Sequence, residues 1–315
     1  MVHNLKDLMA KFSDEQVCRD FLVQQRWGGV PVCPYCNSTK SYVIEGGKRF
    51  KCGERTCYKK YSVTVGSVFH ASNIPLSTWF PAMYIILSHK KGISSIQLAK
   101  DLGVTQKTAW FMLHRIRESL IDKGSSILSN VVEVDETFMG GHTTNKSLKK
   151  RAELKARGIQ GYMEKTPVMG LIERGGKLIA GVVPFVNQAT LQPIVINNVD
   201  KNSTVISDNF WGYRGLDKHF AAHEVINHTM NEYVNGSIHT NTIEGFWSLL
   251  KRGLYGIYHQ VSPKHLQRYV DEYSYRYNSR KIKDGERFEL SLQSIEGALP
   301  YKKLVHGEIN QSSHP

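Results

Sequence analysis

Three acidic residues stand where a strand or a helix would aim them. Val131-Val132-Glu133-Val134-Asp135-Glu136-Thr137 reads as a strand with an acid near its end, and Thr204-Val205-Ile206-Ser207-Asp208 reads as a second. The third acid, Glu244, is separated from Asp208 by 35 residues and lies in Asn241-Thr242-Ile243-Glu244-Gly245-Phe246-Trp247-Ser248-Leu249-Leu250-Lys251. There Ile243, Phe246, Trp247 and Leu250 recur at the spacing of a helix with one apolar face. Asn241, Glu244, Ser248 and Lys251 then share another face. Carboxylates presented this way suit Mg²⁺, a hard cation that takes oxygen ligands and keeps room for substrate phosphate. Phosphodiester cleavage can use two such ions, one for the attacking oxygen and one for the leaving oxygen. Asp135, Asp208 and Glu244 are therefore candidate magnesium (or manganese) ligands, and Lys251 is a point charge suited to a substrate phosphate. Glu133 shares a strand face with Asp135. Glu133 and Glu136 are the runner-up acids of this strand, with an ordinary ion-pair role as the plainer reading of both.

A second chemistry is written in the cysteines. Cys33 and Cys36 form a C-x2-C pair, and Cys52 and Cys57 form a C-x4-C pair after 15 intervening residues. Tight turns place two thiolates on one side of a tetrahedral zinc ion, so two such pairs on adjacent hairpins make a zinc ribbon. All four are expected to be ligands, which leaves a structural and not a catalytic metal. So small a segment would draw much of its stability from the ion. Cys18 lies outside the pattern and is expected to be a small buried residue. Lys48, Arg49, Lys51, Lys59 and Lys60 interleave with Phe50, Tyr58 and Tyr61 and suit either nucleic acid or a protein partner.

The elements that must carry these groups follow from periodicity. Residues 1–30 read as short amphipathic helices, the second capped by Ser13 with Gln16 and burying Val17, Phe21 and Leu22. Residues 31–66 read as small hairpins and 74–128 as helices. Within the latter, Ser94 or Ser95 would cap a helix bearing Leu98, Ala99 and Leu102. Gly103 would make the turn, and Thr105 would cap a second helix with Ala109, Met112, Leu113 and Ile116 inward. This is a helix-turn-helix pattern, in which Gln106, Lys107 and Thr108 would reach base edges while Arg115 and Arg117 sit near phosphates. A plain helical hairpin is the alternative. Gly124-Ser125-Ser126 reads as a linker. Strand runs at 131–138, 168–173, 178–185, 204–207 and 224–226, with helices between them, predict a mixed α/β domain. The basic stretch 145–158 reads as an insertion between two strands. Of a net charge of +13, residues 1–129 carry +9, which suggests an arm that docks on phosphates. No apolar run is long enough to span a bilayer and no signal-peptide order opens the chain, so a cytoplasmic, nucleoid-associated setting without membrane is expected.

Taken together, these residues resemble the zinc-ribbon DDE transposases of bacterial insertion sequences. The resemblance rests on the ribbon cysteines, Val134-Asp135-Glu136-Thr137, Ser207-Asp208 and the Asn241–Trp247 segment with Lys251. His259-Gln260-Val261-Ser262-Pro263-Lys264-His265-Leu266-Gln267-Arg268-Tyr269 and Tyr275-Arg276-Tyr277-Asn278-Ser279-Arg280 extend it to about residues 15–285. It implies a ribonuclease H-like catalytic domain with Asp135, Asp208 and Glu244 as its acids. Asn241 is the alternative third position, but a carboxylate is the stronger ligand. It further implies binding of terminal inverted repeats, metal-dependent cleavage of 3′ ends and joining to target DNA, with a homodimer or larger assembly holding two ends. Two rival readings are a non-catalytic DNA-binding regulator and a nuclease of the same fold. His239, His259 and His265 read as packing or phosphate-contact residues, and Arg268, Arg276 and Arg280 as possible DNA contacts. The expected organisation is multidomain: a helical arm at 1–30, a zinc ribbon at 31–70, a helix-turn-helix domain at 71–128, an α/β ribonuclease H-like catalytic domain at 129–300 and a tail at 301–315.

Overall fold

The computed structural model describes residues 2–122, 124, 126–141, 143–158, 164–226 and 239–306. The chain divides into two compact units, the first formed by the residues up to Ile121 together with a segment beginning at Ser279, and the second running from Asp122 to Asn278. The division falls beside the expected linker, of which Ser125 lies outside the described residues.

The first unit begins with α1 (Leu5–Lys11), capped by Asn4, and α2 (Glu15–Trp27). Asp14, not Ser13, caps α2, accepting from the Gln16 and Val17 amides at 2.7 and 3.1 Å. The Ser13 hydroxyl turns back to the Ala10 carbonyl instead. That one-residue shift points Val17 outward and puts Cys18 and Leu22 in the core. A three-stranded antiparallel sheet follows, β1 (Ser41–Ile44), β2 (Arg49–Cys52) and β3 (Lys60–Tyr61). Phe50 and Tyr61 pack edge-on to Trp27 of α2. The helix α3 (Leu76–Ser88) is buried on nearly every side, as its almost unbroken apolar sequence requires.

Next come α4 (Ser95–Leu102) and α5 (Gln106–Ser119). Ser94 caps the first and Thr105 the second, each accepting an amide of its helix's opening turn. Between them Gly103 adopts φ +65°, the left-handed conformation a side chain would strain. Ala109, Met112, Leu113 and Ile116 are all buried.

Residues 279–306 group with this first unit, whereas the sequence reading assigned 279–300 to the catalytic domain. The reason is apolar packing. Phe288 of α10 (Asp284–Gln293) stacks against Phe12 and Phe80, with centroids 6.2 and 5.6 Å away. The Arg287 guanidinium ties the segment down through the Ser279 and Leu87 carbonyls. The expected tail begins as a helix, α11 (Tyr301–His306), with Leu304 buried and Tyr301 edge-on to Phe111. Its residues 307–315 lie outside those described.

The second unit is built on a five-stranded sheet. In chain order its strands are β4 (Val131–Met139), β5 (Thr166–Glu173), β6 (Leu178–Val182), β7 (Thr204–Asp208) and β8 (Ala222–Ile226). Their spatial order is β6-β5-β4-β7-β8. The first three form an antiparallel meander, while β7 and β8 run parallel to β4. β6 stops at Val182, short of the expected 185, just before Pro184, which has no amide to give a ladder. The basic insertion forms a short helix, α6 (Leu148–Ala156).

Strand alternation sends side chains into two cores. On one face Val132, Val134, Leu171 and Val205 pack with Leu191 and Val195 of α7 (Gln188–Asn198) and with Tyr213. On the other, Val168 and Ile172 pack with Ile243, Phe246, Trp247 and Leu250 of α8 (Asn241–Gly256) and with Val270 and Tyr273 of α9 (Pro263–Asn278).

Candidate active site and metal centre

The cysteine site is the simpler of the two. Cys33 and Cys36 sit in the turn before β1, Cys52 ends β2, and Cys57 lies in the turn before β3. All four are unpaired thiols whose sulfurs lie within 4.8 Å of one another. Cys33 Sγ is 3.7 Å from Cys57 Sγ, and Cys36 Sγ is 3.5 Å from Cys52 Sγ. Four thiolates around a zinc ion, with Zn–S bonds of ~2.3 Å, sit roughly 3.8 Å apart, so this cage fits that metal. Cys18 is buried elsewhere, under α1, and burial pushes its thiol up to about 12, leaving it inert. Lys51 lies over the Tyr58 ring and Lys59 over Tyr35, while Tyr42 is 64% exposed, so the ribbon's surface is both basic and aromatic.

The acidic site is assembled from β4, β7 and α8. β4 pairs with β7 in parallel only as far as Glu133 opposite Ile206. Asp135 and Asp208 each lie two residues further along, so they share that face at the point where the ladder ends. A crevice at the carboxyl ends of parallel strands is a usual place for a ligand in an α/β sheet. Asp208 is half-buried and accepts the Phe210 amide at 3.1 Å.

Asp135 is half-buried as well, and burial, with the Glu136 and Asp208 charges nearby, pushes its carboxyl up to about 7. The opposing influence is a hydrogen bond of 2.8 Å from the indole Nε1 of Trp247 to Asp135 Oδ2. Room for that indole comes from Gly170, which pairs with Asp135 across β5. A Cβ there would meet the Trp247 ring at 2.8 Å. Glu136 turns to the opposite face, where the buried Tyr213 hydroxyl donates to it at 2.6 Å. Burial raises the Glu136 carboxyl, with Asp208 adding to the effect.

Glu244 is exposed in the first turn of α8, one turn before Trp247, and its carboxylate accepts from the Thr240 hydroxyl at 3.1 Å. Asp135 and Asp208 therefore lie near enough for the Asp208 charge to act on Asp135, and Glu244 sits on the helix that Trp247 docks against Asp135. Among the described residues, the four cysteines are the one group of three or more potential ligands drawn close together. Lys251 is half-buried further along α8. Gln106 and Lys107 are exposed at the start of α5, with Lys107 over the Tyr301 ring and Gln106 donating to Ser95.

Three expected DNA contacts are corrected. Arg115 is only 3% exposed. Its guanidinium lies over the Trp79 and Phe111 rings and donates to the His70 carbonyl. Burial lowers it to about 10, still a cation at neutral pH, but one that ties α5 to the loop before α3 and does not face solvent. Arg117 on the same helix is buried also. Arg276 is buried in an ion pair with Glu272 and over the Tyr273 ring, so it serves the packing of α9. Arg280 is exposed, His259 is exposed, and His265 is buried beside Arg268. The contributions of Trp247, Gly170 and Tyr213 to the acidic site were not anticipated. Trp247 reads from its spacing as a core residue, and nothing in the local sequence marks its indole nitrogen as a donor.

A sheet that carries one aspartate mid-way along β4 and another at the end of the parallel strand β7, joined in one chain to a four-cysteine ribbon, defines a class of protein. Residues 127–278 match the ISXO2-like transposase domain, and residues 13–60 match the transposase zinc-ribbon domain. The chain is 29% identical over 254 residues to an uncharacterized protein of the transposable element ISH50 from Halobacterium salinarum, covering 77% of this chain and 84% of that protein. It is 32% identical over 123 residues to an uncharacterized transposase-like protein of Haemophilus influenzae, covering 39% of this chain and 97% of that one. The Mos1 strand transfer complex aligns over 70% of this chain and 79% of that one at 14% identity, but with a TM-score of 0.29 the superposition carries no argument. The chain belongs to the zinc-ribbon DDE transposases of insertion sequences. No helix among the described residues is long and apolar enough to cross a membrane.

Proposed function

We propose that this protein is an active transposase that cuts the 3′ ends of its element and joins them to target DNA, with Asp135, Asp208 and Glu244 as its catalytic acids. The observation that carries this reading is that Asp135 and Asp208 each follow the last β4–β7 pair by two residues, on one sheet face, with the Asp208 charge felt at Asp135. The strand order, an antiparallel meander followed by two parallel strands, supports the ribonuclease H-like assignment. The donor set is all oxygen, and unneutralised carboxylates crowd one another there, which fits Mg²⁺ or Mn²⁺. Asp135 and Asp208 would hold the ions from the sheet and Glu244 from α8. Such ions, when bound, activate an attacking oxygen and steady a leaving one.

Trp247 keeps one Asp135 oxygen engaged and so sets which way the other faces. Glu244 would exchange its bond to Thr240 for the site. Lys251 would hold a phosphate of the DNA. Water attacks the phosphorus and releases a 3′-hydroxyl at the element's end. That hydroxyl then attacks a target phosphorus and displaces the target's own 3′ oxygen. No bond from protein to DNA forms in either step. Joining two ends requires two catalytic sites, so a homodimer or larger assembly on DNA is part of the proposal.

Recognition of the terminal inverted repeats is assigned to the α4–α5 pair as a helix-turn-helix, with Gln106 and Lys107 exposed at the N-terminus of the second helix. The ribbon, zinc-loaded through Cys33, Cys36, Cys52 and Cys57, adds phosphate contacts. A strand-transfer assay tests the whole reading, using the element's end DNA, a plasmid target and Mg²⁺ or Mn²⁺. Joining by the parent and none by Asp135→Asn, Asp208→Asn or Glu244→Gln is the expected result. Binding without cleavage would favour a regulator, and cleavage without joining a nuclease.

A further inference from the structure

Glu133 is fully buried, yet it is not one of the proposed catalytic acids. Its carboxylate accepts four hydrogen bonds: from Arg174 Nε at 2.7 Å, the Thr242 hydroxyl at 2.8 Å, the Thr242 amide at 2.9 Å and the Ile243 amide at 3.0 Å. Thr242 and Ile243 are the second and third residues of α8, whose amides a helix's own N-cap side chain ordinarily satisfies. Here the N-cap, Thr240, makes no such bond. Its backbone, at φ −111° and ψ 20°, lacks the extended conformation that capping uses, and its hydroxyl is spent on Glu244. The cap of α8 thus comes from a strand more than a hundred residues earlier in the chain. Arg174 reinforces it by donating to the His239 carbonyl at 2.6 Å just before the helix, and His239 Nδ1 lies 3.5 Å from the carboxylate.

We infer that Glu133 is a positioning residue for the phosphoryl-transfer site. By capping α8 from β4, it fixes the height and direction of the helix that carries Glu244, on the same strand face that presents Asp135. The inference rests on the reading of Asp135, Asp208 and Glu244 as catalytic acids. Glu133 touches neither DNA nor metal. Its effect is to set the distance a carboxylate on α8 must reach, and Trp247 to Asp135 is the second fixed point one turn further on. A buried carboxylate accepting two amides, a hydroxyl and a guanidinium holds geometry that a neutral amide of the same shape cannot, because Gln would point a donor at donors.

The test uses the full-length protein and end DNA, with Glu133→Gln, Thr242→Val and Glu244→Gln as variants. The first readout needs neither metal nor activity: hydrogen exchange of the opening turn of α8 in EDTA. Glu133→Gln is expected to speed exchange there by ~10-fold, while β4 and β5 stay protected. The second is cleavage as a function of Mg²⁺ concentration. Glu133→Gln should lose about 10- to 100-fold at limiting metal and recover part of that at high Mg²⁺ or in Mn²⁺, as a displaced ligand would. Thr242→Val removes one bond of four and guards against a Glu133→Gln protein that fails to fold. It should shift the metal dependence in the same direction by a few-fold. Glu244→Gln should be dead at every metal concentration.

Unchanged exchange and wild-type cleavage in Glu133→Gln would overturn the inference. So would a Thr242→Val protein with no shift, or a Glu133→Gln loss that no metal concentration relieves, which would make Glu133 a ligand. If Glu244→Gln cleaves normally, the acid assignment itself fails, whatever the exchange data show for the cap.

Discussion

The two candidate metal sites are built by opposite strategies. The ribbon draws four ligands from 25 consecutive residues, and turns of the backbone bring the sulfurs together without any help from the core. The acidic site draws its three candidate ligands from β4, β7 and α8, spread across more than a hundred residues, with the two aspartates linked by the effect of one charge on the other. Each of its carboxylates is held by something else: Asp135 by Trp247, Asp208 by the Phe210 amide, and Glu244 by Thr240. A local site can be preformed because its ligands share a few turns. A site assembled across a fold depends on groups that do no chemistry themselves and only hold the elements in place.

The comparison breaks most sharply at the aspartates. Asp135→Asn or Asp208→Asn should lower strand transfer by at least ~10³-fold while leaving end-DNA binding intact, measured by joining and by gel shift on the same preparations. The same Asp135→Asn should separate activity from stability. Burial pushes the Asp135 carboxyl up from its ordinary 3.8 to about 7 when no cation is present, so folding favours the neutral acid. That contribution is complete below about pH 4 and is lost as the pH rises through 7. In EDTA at pH 8, Asp135→Asn should therefore raise the Tm of the catalytic domain by about 5 °C, and the gain should vanish at pH 4. Equal Tm values at both pH values would remove the idea that crowded carboxylates stress this site.

At the ribbon, Cys33→Ser should reduce bound zinc from one ion per chain to none, by metal analysis. Specific end binding should weaken by about 10-fold while the sheet of the catalytic domain keeps its amide protection. The smallest effects concern the helix pair. Lys107→Ala should weaken binding and flatten its salt dependence by about one counterion, whereas Arg115→Lys should leave the salt slope unchanged and lower thermal stability instead. A reversed pattern would put Arg115 on the DNA.

Much of the architecture was legible in the residues. The cysteine pairs, the strand at 131–138, the caps Ser94 and Thr105 and the turn at Gly103 are all local signals, and local geometry follows from neighbouring residues. What could not be read was long-range. Arg115 is a charged residue on a helix, which a sequence ordinarily places in solvent, and only the rings of Trp79 and Phe111 show that it is buried. Residues 279–300 carry no mark that their Phe288 belongs with Phe12. The ion-pair reading of Glu133 was right in kind, since Arg174 does pair with it, but its larger task as a cap is visible only once α8 lies against β4. Gly170 is similar, a strand glycine whose reason is an indole 77 residues away.

The alternation of β4 has a genetic consequence. Glu133 and Asp135 face α8, whereas Val132 and Val134 face the opposite core. A substitution at one position leaves the others in place. A single-codon deletion early in the strand reverses every side chain after it, aiming valines at the crevice and burying carboxylates among Leu191 and Val195. Decaying copies of such an element should therefore tolerate in-frame insertions and deletions in the stretch around α6 far better than in these nine codons of β4, where one lost triplet removes the cap and a proposed catalytic acid together.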